Sequence, residues 1–171
     1  MTTGKSLLEM ANEIFSVVDG RLIYKERLLS RGRRSEKAGT EAGWDCGHGY
    51  RKVKFDKQQF YTHQIVFLLA HGYIPQYIDH VDGNGLNNRV ENLRPCTKSE
   101  NCYNSAIPKT NKSGVKNVEW SKQKNKWHCK MTVNKKSIHI GFFDDLELAA
   151  LVALEAREKF HGKFANHGVA V

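Results

Sequence analysis

Asp79 and His80 are adjacent and are followed closely by several side-chain amides. An imidazole with an unperturbed pKa near ~6.5 can take a proton from water at neutral pH. Carboxylate and amide oxygens suit a hard cation such as Mg²⁺, which keeps several waters and completes its shell with substrate phosphate. These residue types predict metal-assisted hydrolysis of a phosphodiester, with His80 as the general base.

The chain around this pair predicts a short hairpin followed by a helix. Tyr77-Ile78 is typical of a strand, and Asp82-Gly83-Asn84-Gly85 is rich in residues that tolerate positive φ, so the chain turns sharply there. Extended structure resumes at Asn92-Leu93-Arg94 and stops at the next residue, a proline. Thr97-Lys98-Ser99-Glu100 has the spacing of a capping box, which opens a helix.

Asn101 and Asn104 lie three residues apart on one face of that predicted helix. If the helix packs across the hairpin, Asp79 and Asn101 can share the cation. Asn104 has two interpretations, a hydrogen-bonding residue of the helix face or a residue that supports the metal ligands. The role of His63 is also open, since this residue is either a minor participant in catalysis or a residue that orients the structure.

Five short motifs occur in order between residues 79 and 104. They are Asp-His at 79–80, Asp-Gly-Asn at 82–84, Asn-Asn-Arg at 87–89, Glu-Asn-Leu-Arg at 91–94 and Glu-Asn-x-x-Asn at 100–104. Alone, Asp-Gly is a turn and Asn-Asn is a loop. Together they resemble the HNH endonuclease family, whose nuclease core is the ββα-metal motif, or His-Me finger.

The resemblance implies a role for four residues. His80 would be the general base, and Asn92 the central Asn that holds the loop, and with it the imidazole, in the productive orientation. Asp79 would be the acidic metal ligand next to the first His, and Asn101 the final metal ligand. The implied cofactor is Mg²⁺, with Mn²⁺ as a substitute, and no zinc is expected.

The implied activity is that of a metal-dependent DNA endonuclease of the homing type. It would nick or break double-stranded DNA and leave 5′-phosphate and 3′-hydroxyl ends. Two other functions stay open: a DNA-binding regulator with an inactive HNH core, and a non-specific HNH nuclease that acts on RNA or as a toxin. The RNA alternative is disfavoured by a predicted C-terminal sheet suited to the major groove of DNA, because the RNA major groove is deep and narrow.

The composition favours a nucleic-acid substrate. With 27 Lys and Arg against 18 Asp and Glu, the formal charge is +9 and the isoelectric point is near 9.4. Such a protein should bind polyanions with strong salt dependence. The sequence predicts neither a membrane span nor a signal peptide, and no obligate protein partner is evident. We therefore expect an intracellular protein, in the cytoplasm of a bacterial host if a phage encodes it.

The four cysteines show no metal-binding or disulfide pattern. They are Cys46, Cys96, Cys102 and Cys129, and no pair has the Cys-x-x-Cys spacing. Reduced thiols are expected.

The predicted fold is α+β with two domains. Residues 1–105 form the nuclease domain, with N-terminal strands within 1–61 and the ββα-metal core at about 73–105. Thr62 is expected to cap a helix that ends at Gly72. Residues 106–112 are polar and rich in helix breakers, as in a linker. Residues 113–171 form the second domain.

The second domain is predicted as a three-stranded antiparallel sheet packed on one helix. Residues 126–133 alternate between apolar and polar side chains, which indicates a half-buried strand. Residues 115–120 and 137–143 supply its neighbours, and Asp144 caps a helix over 146–161. Ser-Gly-Val-Lys at 113–116, Lys-Trp at 126–127, Ile-Gly-Phe-Phe at 140–143, Glu-Leu-Ala-Ala at 147–150 and His-Gly at 161–162 are similar to the AP2 DNA-binding domain.

That resemblance implies a sheet that lies in the DNA major groove. Between residues 108 and 136 there are nine lysines and one acidic residue, Glu119. The predicted DNA contacts are Lys116, Lys122, Lys126, Lys130 and Thr132, with Trp120 as a packer against sugar or base. Trp127 is expected in the core. Lysines where the AP2 pattern favours arginines weaken the expectation of sequence-specific reading.

A second basic segment lies between residues 25 and 37. Its arginines include Arg31, Arg33 and Arg34. They either follow a phosphate backbone or form a solvated loop. An enzyme that touches DNA on both sides of its nuclease motif would recognise a long site, as homing endonucleases of phages and introns do.

Overall fold

The structure, a computed structural model, describes residues 5–26 and 37–168. It has helices and small antiparallel sheets, which agrees with the predicted α+β class. The chain divides into two compact units, Met1–Pro95 and Cys96–Val171. The predicted arginine contacts at 31, 33 and 34 lie outside the described residues.

The first unit begins with a helix that the sequence patterns did not predict. Helix α1 covers Leu7–Ile14 and starts with a capping box, in which Ser6 Oγ accepts from Glu9 N at 3.2 Å and Glu9 Oε2 accepts from Ser6 N at 2.8 Å. The box satisfies backbone donors that the first turn would leave unpaired. Strand β1 (Phe15–Val18) follows at once and pairs antiparallel with β2 (Arg21–Tyr24).

A three-stranded sheet and a helix build the rest of this core. Strands β3 (Trp44–Asp45), β4 (Arg51–Phe55) and β5 (Gln58–Tyr61) are antiparallel in that order, and helix α2 covers Thr62–His71. Val53 of β4 and Ile65 and Val66 of α2 are fully buried together. This packing fixes the first turn of α2 beside the end of β5.

The N-cap of α2 is Tyr61, and Thr62 is its first helical residue. The expectation that Thr62 caps this helix is therefore wrong. Tyr61 N donates to Gln64 Oε1 at 2.9 Å, so the Thr62 hydroxyl is not needed for the cap. The helix ends as predicted at Gly72, which adopts φ 82, a left-handed conformation that favours glycine.

The first unit ends in a two-stranded sheet. Strand β6 (Tyr77–His80) pairs with β7 (Leu93–Cys96), and a short 3₁₀ turn, Val90–Asn92, precedes β7. Leu93 is buried in the core of the unit. Residues 81–92 therefore form a loop whose two ends are held by paired strands.

The second unit contains the predicted sheet and helices. Helix α3 (Lys98–Tyr103) has the predicted capping box between Thr97 and Glu100. Strands β8 (Val118–Ser121), β9 (Lys126–Val133) and β10 (Lys136–Phe143) are antiparallel in the order β10-β9-β8, and helix α4 covers Leu146–His161 before a 3₁₀ turn at Gly162–Phe164.

Small residues bring α4 close to the sheet. Ala149 and Ala153 are fully buried against Val118 and Cys129, with Trp127 packed at the edge of the same cluster. The cap of α4 is Asp145, whose Oδ1 accepts from Leu148 N at 2.7 Å, and not the predicted Asp144. The AP2-like interpretation of this unit stays a prediction.

The predicted linker is folded at its end into the second unit. Asn111 Nδ2 donates to Val115 O at 3.0 Å and to Val118 O at 3.3 Å. Ser113 Oγ also donates to Val118 O, at 2.6 Å. Across the described residues, no helix combines the length and the apolar character that a bilayer span needs.

Candidate active site

Strand β6 ends with Asp79 and His80, each only 4% exposed. Asp79 Oδ2 accepts from Arg94 Nε at 2.7 Å and from Nη2 at 2.6 Å. Arg94 lies on the paired strand β7, so the hairpin itself places the guanidinium beside the carboxylate. A charged hydrogen-bond pair of this kind is strong and fixes the orientation of the carboxylate.

The loop after His80 is held by the side chain of Asp82. Its Oδ1 accepts from Asn92 Nδ2 at 2.9 Å and from Asn84 N at 2.8 Å, and its Oδ2 accepts from Asn87 Nδ2 at 2.7 Å. Burial alone would raise the pKa of Asp82, but these hydrogen bonds outweigh it and hold the pKa below its ordinary value. The carboxylate is therefore ionised and clamps the loop.

Asn92 closes the same loop from the other end. Its Oδ1 accepts from Asp82 N at 3.1 Å, and its Nδ2 also donates to Asn87 O at 2.7 Å. Its amide therefore acts on the loop, whereas the amide that lies within hydrogen-bond distance of His80 Nε2 is that of Asn88.

Asn88 links the imidazole to the first turn of α2. His80 Nε2 lies 2.9 Å from Asn88 Oδ1, and Asn88 Nδ2 donates to Thr62 Oγ1 at 3.2 Å. Thr62 Oγ1 in turn donates to Arg51 O at 3.4 Å. Asn88 and Thr62 are 4% and 3% exposed, so these bonds are shielded from competing water.

The donor and acceptor roles along these hydrogen bonds assign the tautomer of His80. Because the amide nitrogen of Asn88 donates to Thr62, its oxygen is the atom that faces the ring. His80 Nε2 then carries the proton, and the lone pair of the neutral imidazole is on Nδ1. We refer to the four groups His80, Asn88, Thr62 and Arg51 O as the histidine relay.

Aromatic rings surround the other side of His80. His63 meets it edge to face at 5.0 Å between centroids, and the Tyr50 ring lies at 5.9 Å. Burial, with a smaller effect from His80, lowers the pKa of His63 to about 3. Burial and the nearby charge of Asp79 raise the pKa of Tyr50. His63 is therefore neutral at physiological pH and acts as a packing partner of His80.

Only glycine fits at position 85. A Cβ there would lie 2.4 Å from Gly49 O and 2.6 Å from Cε1 of Tyr50. This close approach packs the loop onto the segment that carries Tyr50. The turn therefore needs glycine at position 85 because of this close contact, and not because of a positive φ.

The two predicted metal ligands lie on different elements. Asp79 is at the end of β6, and Asn101 is exposed on α3. Both offer hard oxygen donors, which suit Mg²⁺ rather than a thiolate- or imidazole-bound metal. In the described parts of the chain, no three His, Cys, Asp or Glu side chains are arranged to hold a metal.

Asn104 lies at the end of α3 and is 8% exposed. Asn166 Nδ2 donates to its backbone oxygen at 2.9 Å and to its Oδ1 at 3.2 Å. These bonds join the end of α3 to the segment after α4. Of its two interpretations, the contacts favour a structural hydrogen bonder.

Lys116 cannot serve as the predicted DNA contact. It is 7% exposed, and its Nζ donates to Tyr103 O at 2.8 Å and to Ser105 O. Burial, with a smaller effect from Arg157, lowers its pKa to about 8. The side chain fixes the C-terminal end of α3 within the second unit and is turned away from solvent.

The remaining predicted contacts are at the surface of the second unit. Lys122 and Thr132 are exposed. Lys126 pairs with Asp144 at 2.9 Å, and Lys130 pairs with Glu119. The hydrogen bond from Lys130 lowers the pKa of Glu119, so the carboxylate stays ionised on this face. Lys122 is thus an exposed cation of the predicted set.

Sequence reasoning missed Asn88, Arg94 and Tyr50. Asn88 was interpreted only as a loop residue, and its partner Thr62 lies 26 residues earlier. Arg94 is placed by pairing of β6 with β7, which the hairpin prediction could have supplied. No local signal marks Tyr50, because its contact with His80 depends on how the β3–β5 sheet packs.

All cysteines in the structure are free thiols. Cys129 is buried in the second core, and burial raises the pKa of its thiol. It contributes to packing and not to the site.

The sequence model of the HNH endonuclease family matches residues 60–103. This segment contains His63, Asp79, His80, Asn92 and Asn101. Protein 3.8 of Escherichia phage T7 is 40% identical to the chain over 115 residues, which are 64% of this chain and 94% of the phage protein. The chain belongs to the HNH endonuclease family. It is therefore a nuclease.

A second relative of this HNH nuclease is an uncharacterized HNH endonuclease of Acanthamoeba polyphaga mimivirus. It is 30% identical over 125 residues, which are 71% of this chain. The match spans 64% of the length of the mimivirus protein. No solved structure matches the chain.

Proposed function

We propose that this HNH nuclease hydrolyses phosphodiester bonds of double-stranded DNA, with His80 as the general base. The observation that carries the proposal is the histidine relay, which places the proton on Nε2 and the lone pair on Nδ1. A neutral imidazole held in one tautomer can take the proton of an attacking water in a fixed direction. The expected ends are 5′-phosphate and 3′-hydroxyl.

The other side chains would position the reactants. Arg94 holds the carboxylate of Asp79 in place, and the Asp82–Asn92 clamp holds the loop that carries Asn88. A Mg²⁺ ion held by Asp79 and Asn101 would stabilise the negative charge that develops on the phosphate and on the departing 3′ oxygen. Asp79 and Asn101 are thus proposed as ligands, and Asn92 and Asn88 as positioning residues.

The cheapest test is cleavage of supercoiled plasmid by the full chain with Mg²⁺ or Mn²⁺. His80→Ala should slow cleavage by about 10² to 10⁴. The matched control is His167→Ala, which removes an exposed histidine from the C-terminal segment of the second unit. If wild type binds DNA but never cuts it, the chain is a DNA-binding regulator with an inactive core.

We further propose that the enzyme is of the homing type and acts inside a bacterial host cell. The phage relative supports the host, and the exposed lysines of the second unit support recognition beyond the cut. Mapping of cleavage ends on natural DNA should give a few preferred sites. Random ends, or equal cutting of RNA and DNA at matched salt, would show a non-specific nuclease instead.

A further inference from the structure

We propose that one face of the β3–β5 sheet binds unpaired DNA bases next to the phosphate that is cut. This face, which we call the aromatic platform, carries Trp44, Lys52, Lys54, Gln59 and Tyr61. The proposal deepens the proposed function, since it names the form of DNA that the HNH site would take: a duplex opened at the cleavage point.

Strand register defines the platform. Trp44 pairs with Lys52 across β3 and β4, and Lys52 pairs with Tyr61 across β4 and β5. Residues paired in this way share one face of a sheet. Val53 and its partner Phe60 lie on the other face, toward the core. The side chains of Trp44, Lys52 and Tyr61 therefore lie in one row across the three strands.

The rings of the platform are accessible. Trp44 is 42% exposed and Tyr61 is 37% exposed, although large aromatic side chains usually lie inside a protein. Lys52 Nζ lies 5.0 Å from the centre of the Tyr61 ring. Two exposed aromatic rings and the ammonium group between them therefore lie along one row of the sheet.

The charge of the platform suits a nucleic acid. Its ionisable side chains are Lys52, Lys54 and the Tyr61 phenol, so the described strands place no carboxylate on this face. Asp45 pairs with Arg51 on the opposite face, and Asp56 lies in the turn between β4 and β5. Two lysines can follow phosphates while the rings contact bases.

The platform is continuous with the active site. Tyr61 stacks on His63 at 5.3 Å with an interplanar angle of 6°, and His63 meets His80 at 5.0 Å. The centroid of the Tyr50 ring lies 5.7 Å from that of Tyr61 and 5.9 Å from that of His80. A strand whose phosphate lies at His80 would thus pass its neighbouring nucleotides across exposed rings.

The exposed rings favour unpaired bases over an intact duplex. Base faces are covered by stacking in a duplex, and they become available to aromatic side chains only when the strands open. Intact grooves are read mainly through hydrogen bonds to base edges, for which Trp44 offers one donor. The two rings of the platform therefore match the faces of bases, while Lys52, Lys54 and Gln59 can donate hydrogen bonds to the phosphates and base edges beside them.

The test measures binding by the full chain without divalent cations. Two labelled DNAs of one sequence are compared, an intact duplex and the same duplex with a short run of mismatches at the cleavage position. Wild type should bind the mismatched DNA about tenfold more tightly or better, since one base stacked on an aromatic ring gives roughly that factor. The double variant Trp44→Ala, Tyr61→Ala should bind both DNAs alike.

Two further variants separate stacking from folding. Trp44→Phe keeps a stacking ring and should keep most of the preference. Tyr73→Ala removes a more exposed ring, 52% exposed, that packs on Phe67 in the same unit, and should keep all of the preference. Equal binding of both DNAs by wild type overturns the proposal, and so does a preference that survives in the double variant.

This readout does not depend on catalysis. If His80→Ala cuts plasmid as fast as wild type, the proposed general base is wrong, but the mismatch preference is still measured. If plasmid cutting requires His80 and the preference is absent, only the aromatic platform is rejected.

Discussion

The orientation of the candidate base depends on a buried amide and not on the strand that carries it. His80 is the last residue of β6, so its backbone alone leaves the ring free to rotate. Asn88 and Thr62 supply the hydrogen bonds that hold Nε2. Asn92 acts one step further away, through Asp82 and the loop.

Replacement of Asn88 should therefore change the chemistry more than the fold. Asn88→Ala removes the acceptor of Nε2–H, and we expect a loss of about 10- to 100-fold in cleavage rate, as for other residues that orient a reacting group. Asn88→Asp keeps the shape but favours the protonated imidazole, so the acidic limb of the pH–rate profile should move to higher pH. Both are measured by single-turnover cleavage across pH.

The control for that pair is Asn92→Ala. It should lower the stability of the loop without moving the pH–rate profile, because its amide contacts Asp82 and the backbone of Asn87. If Asn88→Ala cuts as fast as wild type and Asn88→Asp keeps the wild-type pH–rate profile, the histidine relay has no part in positioning the base.

His63 gives a stability prediction with a defined sign. The unfolded chain takes up a proton on this ring near pH ~6.5, whereas the folded chain does so only at a pKa of about 3. Between these values the unfolded state binds more protons, so stability is highest above pH ~6.5 and is lost as the pH falls. Urea unfolding should show a loss of about 1 kcal/mol from this ring between pH 7 and pH 5.5.

His63→Phe should remove that part of the pH dependence, since phenylalanine does not titrate. His167→Phe replaces an exposed histidine and should leave it unchanged. The same slope in wild type and in His63→Phe would contradict a neutral, buried His63.

At the scale of elements, two lysines of the second unit should behave in opposite ways. Lys116→Met leaves Tyr103 O and Ser105 O without their donor, and should destabilise the unit by about 1 to 3 kcal/mol.

Lys122→Met changes an exposed side chain of the turn after β8, and should keep stability within about 0.5 kcal/mol but weaken DNA binding. Thermal unfolding and DNA titration check both; a stable Lys116→Met with weak DNA binding would restore Lys116 as a contact.

Elements with a strong local pattern were predicted well. Strand β9 and helix α4 have the predicted bounds, because alternation over eight residues and a capped run of alanines leave few other solutions. Helix α1 was missed although Ser6 and Glu9 have the spacing of a capping box, because the helix has only eight residues and its packing against α2 is not visible in a local pattern. The Asp145 cap was misplaced by one residue, since two adjacent aspartates offer the same chemistry.

The candidate site, too, was predicted where a local motif marks a residue and missed where a residue depends on tertiary contacts. The motif spacing was enough to nominate Asp79, His80, Asn92 and Asn101 as candidate site residues. Spacing could not find Asn88, because its function depends on Thr62 in α2. It also could not exclude Lys116, because a lysine on a basic segment gives no sign of its burial.

For the whole molecule, the net charge of +9 sets how binding responds to salt. If six to ten phosphates are neutralised, the affinity for DNA should fall by about 10³ to 10⁵ between 50 and 200 mM salt. Fluorescence anisotropy over a salt series gives the slope of log K against log salt. A slope near zero would contradict an electrostatic contribution from the basic residues.

The hydrogen bonds from His80 extend through Asn88 and Thr62 to the backbone of Arg51. The orientation of His80 therefore depends on residues that lie well before the motif in the sequence. A minimal peptide cut from residues 77–104 would retain every motif residue and still lack Thr62 and the carbonyl of Arg51, which hold the His80 ring through Asn88. Transplantation of the motif into a foreign scaffold would need β4 and the first turn of α2 as well. A fragment that keeps the orientation of His80 must therefore extend beyond the motif, to β4 and the first turn of α2.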